Sequence, residues 1–147
     1  SRIMSLKDGS KKMSKSELSD LSRINLTDDS DLIVNKIKKA KTDPLPMPNS
    51  TKDLDERLEA KNLLGIYSSL TNSTLEKSVE IFEGKNFSEF KEKLSEVLVD
   101  RIQPISLEIK KLLNDRSYLD NTLLEGVERA NKIASKKIKR IKEIVGF

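Results

Sequence analysis

From Leu123 to Val145 the apolar residues recur at spacings of four, three, four, four, three and four: Leu123, Val127, Ala130, Ala134, Ile138, Ile141 and Val145. An α-helix, at 3.6 residues per turn, brings such a series onto one face, whereas a strand would scatter it over two. A second stripe runs through Phe87, Phe90, Leu94, Val97, Ile102, Ile105, Ile109 and Leu112, with one step of five that Leu98 bridges. These patterns commit residues 87–145 to long amphipathic helices. Pro104 lies inside the second stripe, where it deletes the backbone bond to the Asp100 carbonyl and predicts a kink.

Cap residues divide the preceding chain in the same way. Thr27-Asp28-Asp29-Ser30-Asp31 places caps and negative charge at a helix start, and Lys36, Lys38, Lys39 and Lys41 crowd its far end, a polarity that complements the helix dipole. Leu32, Ile33, Ile37 and Ala40 form its buried stripe. Asp43-Pro44-Leu45-Pro46-Met47-Pro48 predicts a helix stop and a stiff linker. Ser50-x-x-Asp53, Ser73-x-x-Glu76, Asn86-x-x-Glu89 and Ser117-x-x-Asp120 predict four further helix starts. The first of these helices carries Leu54, Leu58, Leu63, Ile66, Tyr67 and Leu70 and ends at Asn72-Ser73, and Gly84 closes the next in a left-handed conformation. Gly146 stops the last. Helices with short joints imply an all-α fold, an antiparallel helical bundle of five helices over residues 27–147.

Residues 1–26 do not share this periodicity. Residues 1–6 read as a short strand, and 7–26 as loop after the turn signal Asp8-Gly9-Ser10, with Leu18, Leu21 and Ile24 supporting one helical turn as the alternative. No run reaches about 18 apolar residues, so no membrane span is expected. Ile3, Met4 and Leu6 are too isolated for a signal-peptide core.

Histidine and cysteine are both absent. That removes imidazole acid/base chemistry, His-based triads, thiolate metal sites and disulfides. Any chemistry must use lysines, hydroxyls, carboxylates and backbone groups. Net charge is +4, distributed as +4 over residues 1–42, −5 over 43–130 and +5 over 131–147. A polyanion would therefore meet the chain locally, at its basic ends.

The loop contains Lys11-Lys12-Met13-Ser14-Lys15-Ser16. Its chemistry suits a triphosphate. When an acceptor attacks the α-phosphorus of ATP, charge builds on the departing pyrophosphate, and ammonium groups brought to those oxygens stabilise the transition state more than the ground state. Lysine is a compact charge on a flexible stem, and serine hydroxyls and loop amides add hydrogen bonds to phosphate. Gly9 and the small serines permit the loop to open and close. Such a loop can also be plain solvated chain, although composition gives this five-residue string only on the order of one time in a thousand.

Lys12-Met13-Ser14-Lys15-Ser16 resembles the KMSKS signature of class I aminoacyl-tRNA synthetases. The lead-in Arg2-Ile3-Met4-Ser5-Leu6, followed by Asp8, narrows the resemblance to the tryptophanyl-tRNA synthetase family. Thr27-Asp28-Asp29, Lys36-Ile37-Lys38 and Thr42-Asp43 are similar to that family's post-loop helix. Asn62-Leu63-Leu64-Gly65-Ile66-Tyr67, Phe90-Lys91, Pro104-Ile105, Leu119-Asp120 and Glu125-Gly126-Val127-Glu128-Arg129-Ala130 extend it in order along nearly the whole chain.

The resemblance implies a C-terminal portion of a tryptophan–tRNA ligase. Residues 1–26 would be the end of a Rossmann-like nucleotide-binding catalytic domain truncated here, and 27–147 the helical, anticodon-binding type domain. Lys12 and Lys15 would be catalytic, holding the ATP β- and γ-phosphates and then pyrophosphate. Ser14 and Ser16 would assist, Ile3 would offer backbone hydrogen bonds to adenine, and Met13 would pack beside it. ATP is the implied substrate, with Mg2+ riding on it and no dedicated protein metal ligands. tRNA(Trp) and tryptophan are the implied partners, and neither DNA nor a membrane is expected. The full-length enzyme would be a homodimer and this chain a monomer, in the cytoplasm, with an organellar form as the alternative.

The chain departs from the family in lacking a His-x-Gly-His motif, so it is expected to be inactive by itself. Glu17-Leu18 stands where the family's loop runs into Asp-Pro, and Gly65 lies within a helical run, which costs about 1 kcal/mol relative to alanine. The competing reading from another class is a helical RNA-binding or protein-interaction module with a chance KMSKS string. A tyrosine-specific relative is a third. Lys132, Lys136, Lys137, Lys139, Arg140 and Lys142 on the last helix either face an RNA backbone or complement the helix dipole on a solvated face. Phe82, Phe87 and Phe90 sit on apolar stripes and are expected in the core. Tyr67, Tyr118 and Phe147 complete the aromatic set, and no anticodon-reading residue is assigned.

Overall fold

Asp29 accepts a hydrogen bond from Leu32 N–H at 2.9 Å and so begins the first helix of the computed structural model, which describes residues 2–146. Phe147 lies outside the described residues. Five α-helices follow in order: α1 Ser30–Lys38, α2 Leu58–Thr71, α3 Leu75–Phe82, α4 Phe87–Asn114 and α5 Arg116–Val145. Two 3-10 turns, Asp20–Ser22 and Lys52–Asp55, complete the regular structure. The first of them is the single helical turn that Leu18, Leu21 and Ile24 offered as an alternative to loop.

The strand expected over residues 1–6 does not form among the described residues. Met4 and Lys12 make one isolated antiparallel bridge, and the ladder stops there. A strand needs an extended neighbour, and the turn at Asp8–Lys11 brings back only enough chain for this one pairing.

The chain divides into two compact units, Ser1–Leu107 and Glu108–Phe147. The core of the first is built from Leu6, Ile33, Ile37, Met47, Leu54, Leu63, Leu64, Phe82, Phe90 and Leu94, among others. Tyr67, Phe82 and Phe90 form an edge-to-face cluster, with centroids 4.9 Å apart for Tyr67–Phe82 and 4.8 Å for Phe82–Phe90. That arrangement sets the positive ring edge against the negative face. Phe82 and Phe90 are buried and Phe87 packs against the cluster's rim, as their stripes predict.

Helix boundaries follow the cap chemistry with some shifts. Asn86 accepts from Glu89 N–H at 2.8 Å and opens α4, and Asn72, at φ 53°, closes α2 in the left-handed conformation that asparagine tolerates. Gly84 and Gly146 adopt φ 67° and 84° after α3 and α5. Thr74 rather than Ser73 caps α3, accepting from Lys77 N–H, and Asp115 rather than Ser117 caps α5, accepting from Tyr118 N–H. Asp53 accepts from Ser50 N–H, but that box opens the 3-10 turn, and α2 starts only at Leu58. Pro104 lies within α4, which runs on through it.

Two expectations are corrected by packing. The proline-spaced segment is not a free linker: Met47 is buried, and its N–H donates to the Lys85 carbonyl at 2.8 Å. Arg57 holds this segment, donating to both Asp43 oxygens at 3.0 and 2.7 Å and to the Pro46 carbonyl at 2.7 Å. The stripe on α5 is not an inner face in this chain either. No residue of α5 is buried, and Leu123, Val127, Ile138, Ile141 and Val145 are all more than half exposed. An amphipathic helix buries its apolar face only against a partner surface.

Candidate functional site

The segment Arg2–Leu6 and the lysine loop are held against each other by backbone bonds. Met13 N–H donates to the Ile3 carbonyl at 3.1 Å, and Ser5 N–H to the Lys11 carbonyl at 2.8 Å. At the base of the loop, Leu6 N–H donates to the Ser22 carbonyl at 2.9 Å. Lys41 N–H donates to the Leu6 carbonyl at 2.8 Å, and the Lys7 ammonium to the Lys39 carbonyl at 3.0 Å. The entry to the loop is thus tied to its exit and to the end of α1.

The tight turn at the loop's start is made by Asp8. Its carboxylate accepts from the Ser10 hydroxyl at 2.6 Å and from Ser10 N–H at 3.0 Å, and Lys11 pairs with it at 3.3 Å. The Ser10 bonds, foremost the hydroxyl, and then Lys11 hold the carboxyl down at about 2. Gly9 follows for a steric reason. A Cβ there would lie 2.7 Å from the Leu58 carbonyl carbon and 2.8 Å from Glu59 N at the start of α2. Glycine therefore serves close approach of the loop to α2, not the freedom of motion expected from the sequence.

These contacts open a cleft of about 700 Å³ lined by Arg2, Ile3, Lys12, Met13, Ser14, Lys15, Arg23, Ile24, Asn25, Leu26 and Thr27. Ile3, Lys12, Met13, Ser14 and Lys15 come together there; Ser16 is not on the lining. Ser14 and Ser16 are linked hydroxyl to hydroxyl at 2.8 Å, and the Ser14 hydroxyl also accepts from Ser16 N–H at 3.3 Å. Lys12 and Lys15 are exposed and make no ion pair among the described residues. The lining combines apolar side chains, Ile3, Met13, Ile24 and Leu26, with the cations Arg2, Lys12, Lys15 and Arg23. The lining contains no carboxylate, so its charged side chains suit an anion. Among the described residues no group of acidic side chains converges as a metal site.

Sequence reasoning missed the polar cluster around Lys36. Lys36, assigned by position to the helix dipole, is fully buried and pairs with Asp28 at 2.6 Å and Asp20 at 2.7 Å. Its signal was present in spacing: Ile33, Lys36 and Ile37 share one face of α1. Asn62 was missed in the same way, as the polar residue of a buried run. Its amide pairs with the backbone of Met4.

The family model for tRNA synthetases class I (W and Y) matches residues 1–103. The chain belongs to the class I tRNA synthetases (W and Y). Among curated relatives of this class I family, the tryptophan–tRNA ligase of Mesorhizobium japonicum is 48% identical over 99% of the chain. The chain spans 41% of that relative's length. The tryptophanyl-tRNA synthetase of Mycoplasma pneumoniae superposes with a TM-score of 0.72 at 25% identity, over 99% of this chain and 44% of that one. That of Campylobacter jejuni shares the fold, with a TM-score of 0.74 at 23% identity over 100% of this chain and 44% of that one. Among the described residues of this class I chain, no helix is long and apolar enough to cross a membrane.

Proposed function

We propose that this chain is the C-terminal portion of a tryptophan–tRNA ligase and that its cleft receives the phosphates of ATP during tryptophan activation. One observation carries the reading: the exposed ammonium groups of Lys12 and Lys15 share a cleft with Ile3 and Met13. The names of the relatives support tryptophan over tyrosine. The apolar lining residues suit a purine ring, with Ile3 supplying backbone hydrogen bonds and Met13 packing beside it. Lys12 and Lys15, with Ser14, Ser16 and loop amides, would meet the β- and γ-phosphates. As the tryptophan carboxylate attacks the α-phosphorus, the bond to the bridging oxygen breaks and the two lysines take up the charge that gathers on pyrophosphate. Losing one such donor lowers kcat about 10²–10³-fold. Mg2+ accompanying ATP would supply further charge neutralisation.

In this reading residues 1–26 are the end of the Rossmann-like nucleotide-binding catalytic domain, and 27–147 form the antiparallel helical domain that meets the anticodon region of tRNA(Trp). Tryptophan and the tRNA end are handled by the whole ligase, a cytoplasmic homodimer. The chain alone, a monomer without histidine, would not catalyse exchange.

The test is tryptophan-dependent ATP–pyrophosphate exchange by the full-length protein. Lys12→Ala and Lys15→Ala should each lower kcat by about two orders of magnitude while leaving the KM for tryptophan unchanged. Undiminished adenylate formation with both lysines replaced would overturn the reading.

A further inference from the structure

Lys36 has no exposed surface, yet its ammonium is bonded in two directions. It donates to Asp28, which is buried in the segment leading into α1, at 2.6 Å. It also lies 2.7 Å from Asp20, which is half exposed and begins the 3-10 turn at the exit of the lysine loop. The Asn25 side chain donates to both carboxylates, at 3.1 and 3.2 Å. Arg23 pairs with Asp20 at 2.9 Å and donates to the Glu17 carbonyl at 2.9 Å. The quartet of Lys36, Arg23, Asp20 and Asp28 is neutral, and it leads from inside the first unit to the residue next to Ser16.

Asp28 alone would neutralise the buried ammonium. The second carboxylate is therefore not needed to tolerate burial, and what it adds is a link to the loop. The other root is tied to the same element, through Lys7 to the Lys39 carbonyl and through Lys41 N–H to the Leu6 carbonyl. Ser22, whose carbonyl meets Leu6 N–H, lies in the same 3-10 turn as Asp20.

We propose that Lys36 is a positioning residue for the phosphate-facing lysines. Acting through Asp20, it latches the exit of the loop to α1 and sets where Lys12 and Lys15 stand in the cleft. The inference rests on the ligase reading above. A displacement of about 1 Å at reacting groups can lower a rate by about 10²-fold, so a loosened latch acts on kcat even though it touches no substrate.

Asp20 gives the clean test, because Asp20→Ala frees the loop while Lys36 keeps Asp28. In the full-length protein, Asp20→Ala should lower kcat for ATP–pyrophosphate exchange about tenfold or more with the KM for tryptophan unchanged. Hydrogen exchange at residues 10–18 should accelerate at least about threefold while α2 is unaffected. Asp20→Glu, which can still reach the ammonium, should recover most of kcat. An unchanged kcat in Asp20→Ala sinks the proposal, and so does a loss that merely follows a lowered Tm with loop exchange unaltered. Lys12→Ala serves as the control. If that variant is inactive while Asp20→Ala is not, only the latch fails; if it is fully active, the ligase reading fails and the latch with it.

Discussion

The side-chain amide of Asn62 faces Met4 as a neighbouring strand would: Met4 N–H donates to its oxygen at 2.9 Å, and its nitrogen donates to the Met4 carbonyl at 2.9 Å. One side chain on α2 thereby satisfies both backbone groups of a residue 58 positions earlier. Removing it strands the pair in a largely buried setting. Asn62→Leu should lower unfolding free energy by about 1–3 kcal/mol, read by urea denaturation. A smaller change would mean that water replaces the amide freely.

Gly9 fits against the α2 backbone with no room for a methyl group. Backbone atoms cannot swing aside as a side-chain tip can, so Gly9→Ala must push the loop away from α2. A loss of about 1–3 kcal/mol is expected, with altered amide shifts concentrated at residues 8–12 and 58–60. An unshifted spectrum would show that the loop is not seated there.

Gly65 presents the opposite case. It lies inside α2, and a Cβ there meets nothing within 4 Å. Gly65→Ala should therefore stabilise the protein by about 0.5–1 kcal/mol through lower unfolded-state entropy and better helix propensity. Thermal melting of the two proteins side by side decides the matter.

Asp8 supplies a pH dependence. Its carboxyl, held at about 2 by the Ser10 bonds and then by Lys11, has an ordinary value of 3.8. The folded-state pKa is depressed, so its contribution is present above 3.8 and lost as pH falls through about 2. Asp20 shifts in the same direction, chiefly through the hydrogen bond from Lys36 and then that from Asn25. Between pH 5 and 2 the Tm of the unaltered protein should fall, and Asp8→Asn should fall less steeply. Titration of the Asp8 carboxyl at its ordinary value, seen by NMR, would contradict this.

The two long stripes should respond differently to truncation. Phe90→Ala removes a ring with no exposed surface from the aromatic cluster and should destabilise by about 3–5 kcal/mol. Ile138→Ala, on the open face of α5, should change stability by less than about 0.5 kcal/mol beyond helix propensity. Equal effects would mean that the α5 stripe is covered.

What the sequence carried legibly was local. Phe90, Leu94 and Leu98 recur at helical spacing and are buried, and Asn86 with Glu89 marks the start of α4. The loop's lysines stand together with Ile3 and Met13 because the turn at Asp8 and the Met13–Ile3 bond are short-range consequences of neighbouring residues. The parts that were not legible depend on distant partners. A lysine at a helix end says nothing of two aspartates eight and sixteen positions away converging on it. Periodicity likewise identifies α5 as amphipathic without saying whether anything lies against it. The Asn62–Met4 pairing replaces a strand partner with a side chain, so an apparently extended Arg2–Leu6 segment exists without a sheet.

The sealed position of Lys36 has a practical side. An amine-acylating reagent can reach the exposed Lys12 and Lys15 on the cleft lining, but it finds no surface of Lys36 to attack. A triphosphate seated on the first two would shield them and leave the third as unreactive as before. Mass-spectrometric footprinting of one digest therefore reports cleft occupancy from the loop peptides, with the α1 peptide as a built-in gauge of whether the protein stayed folded during labelling.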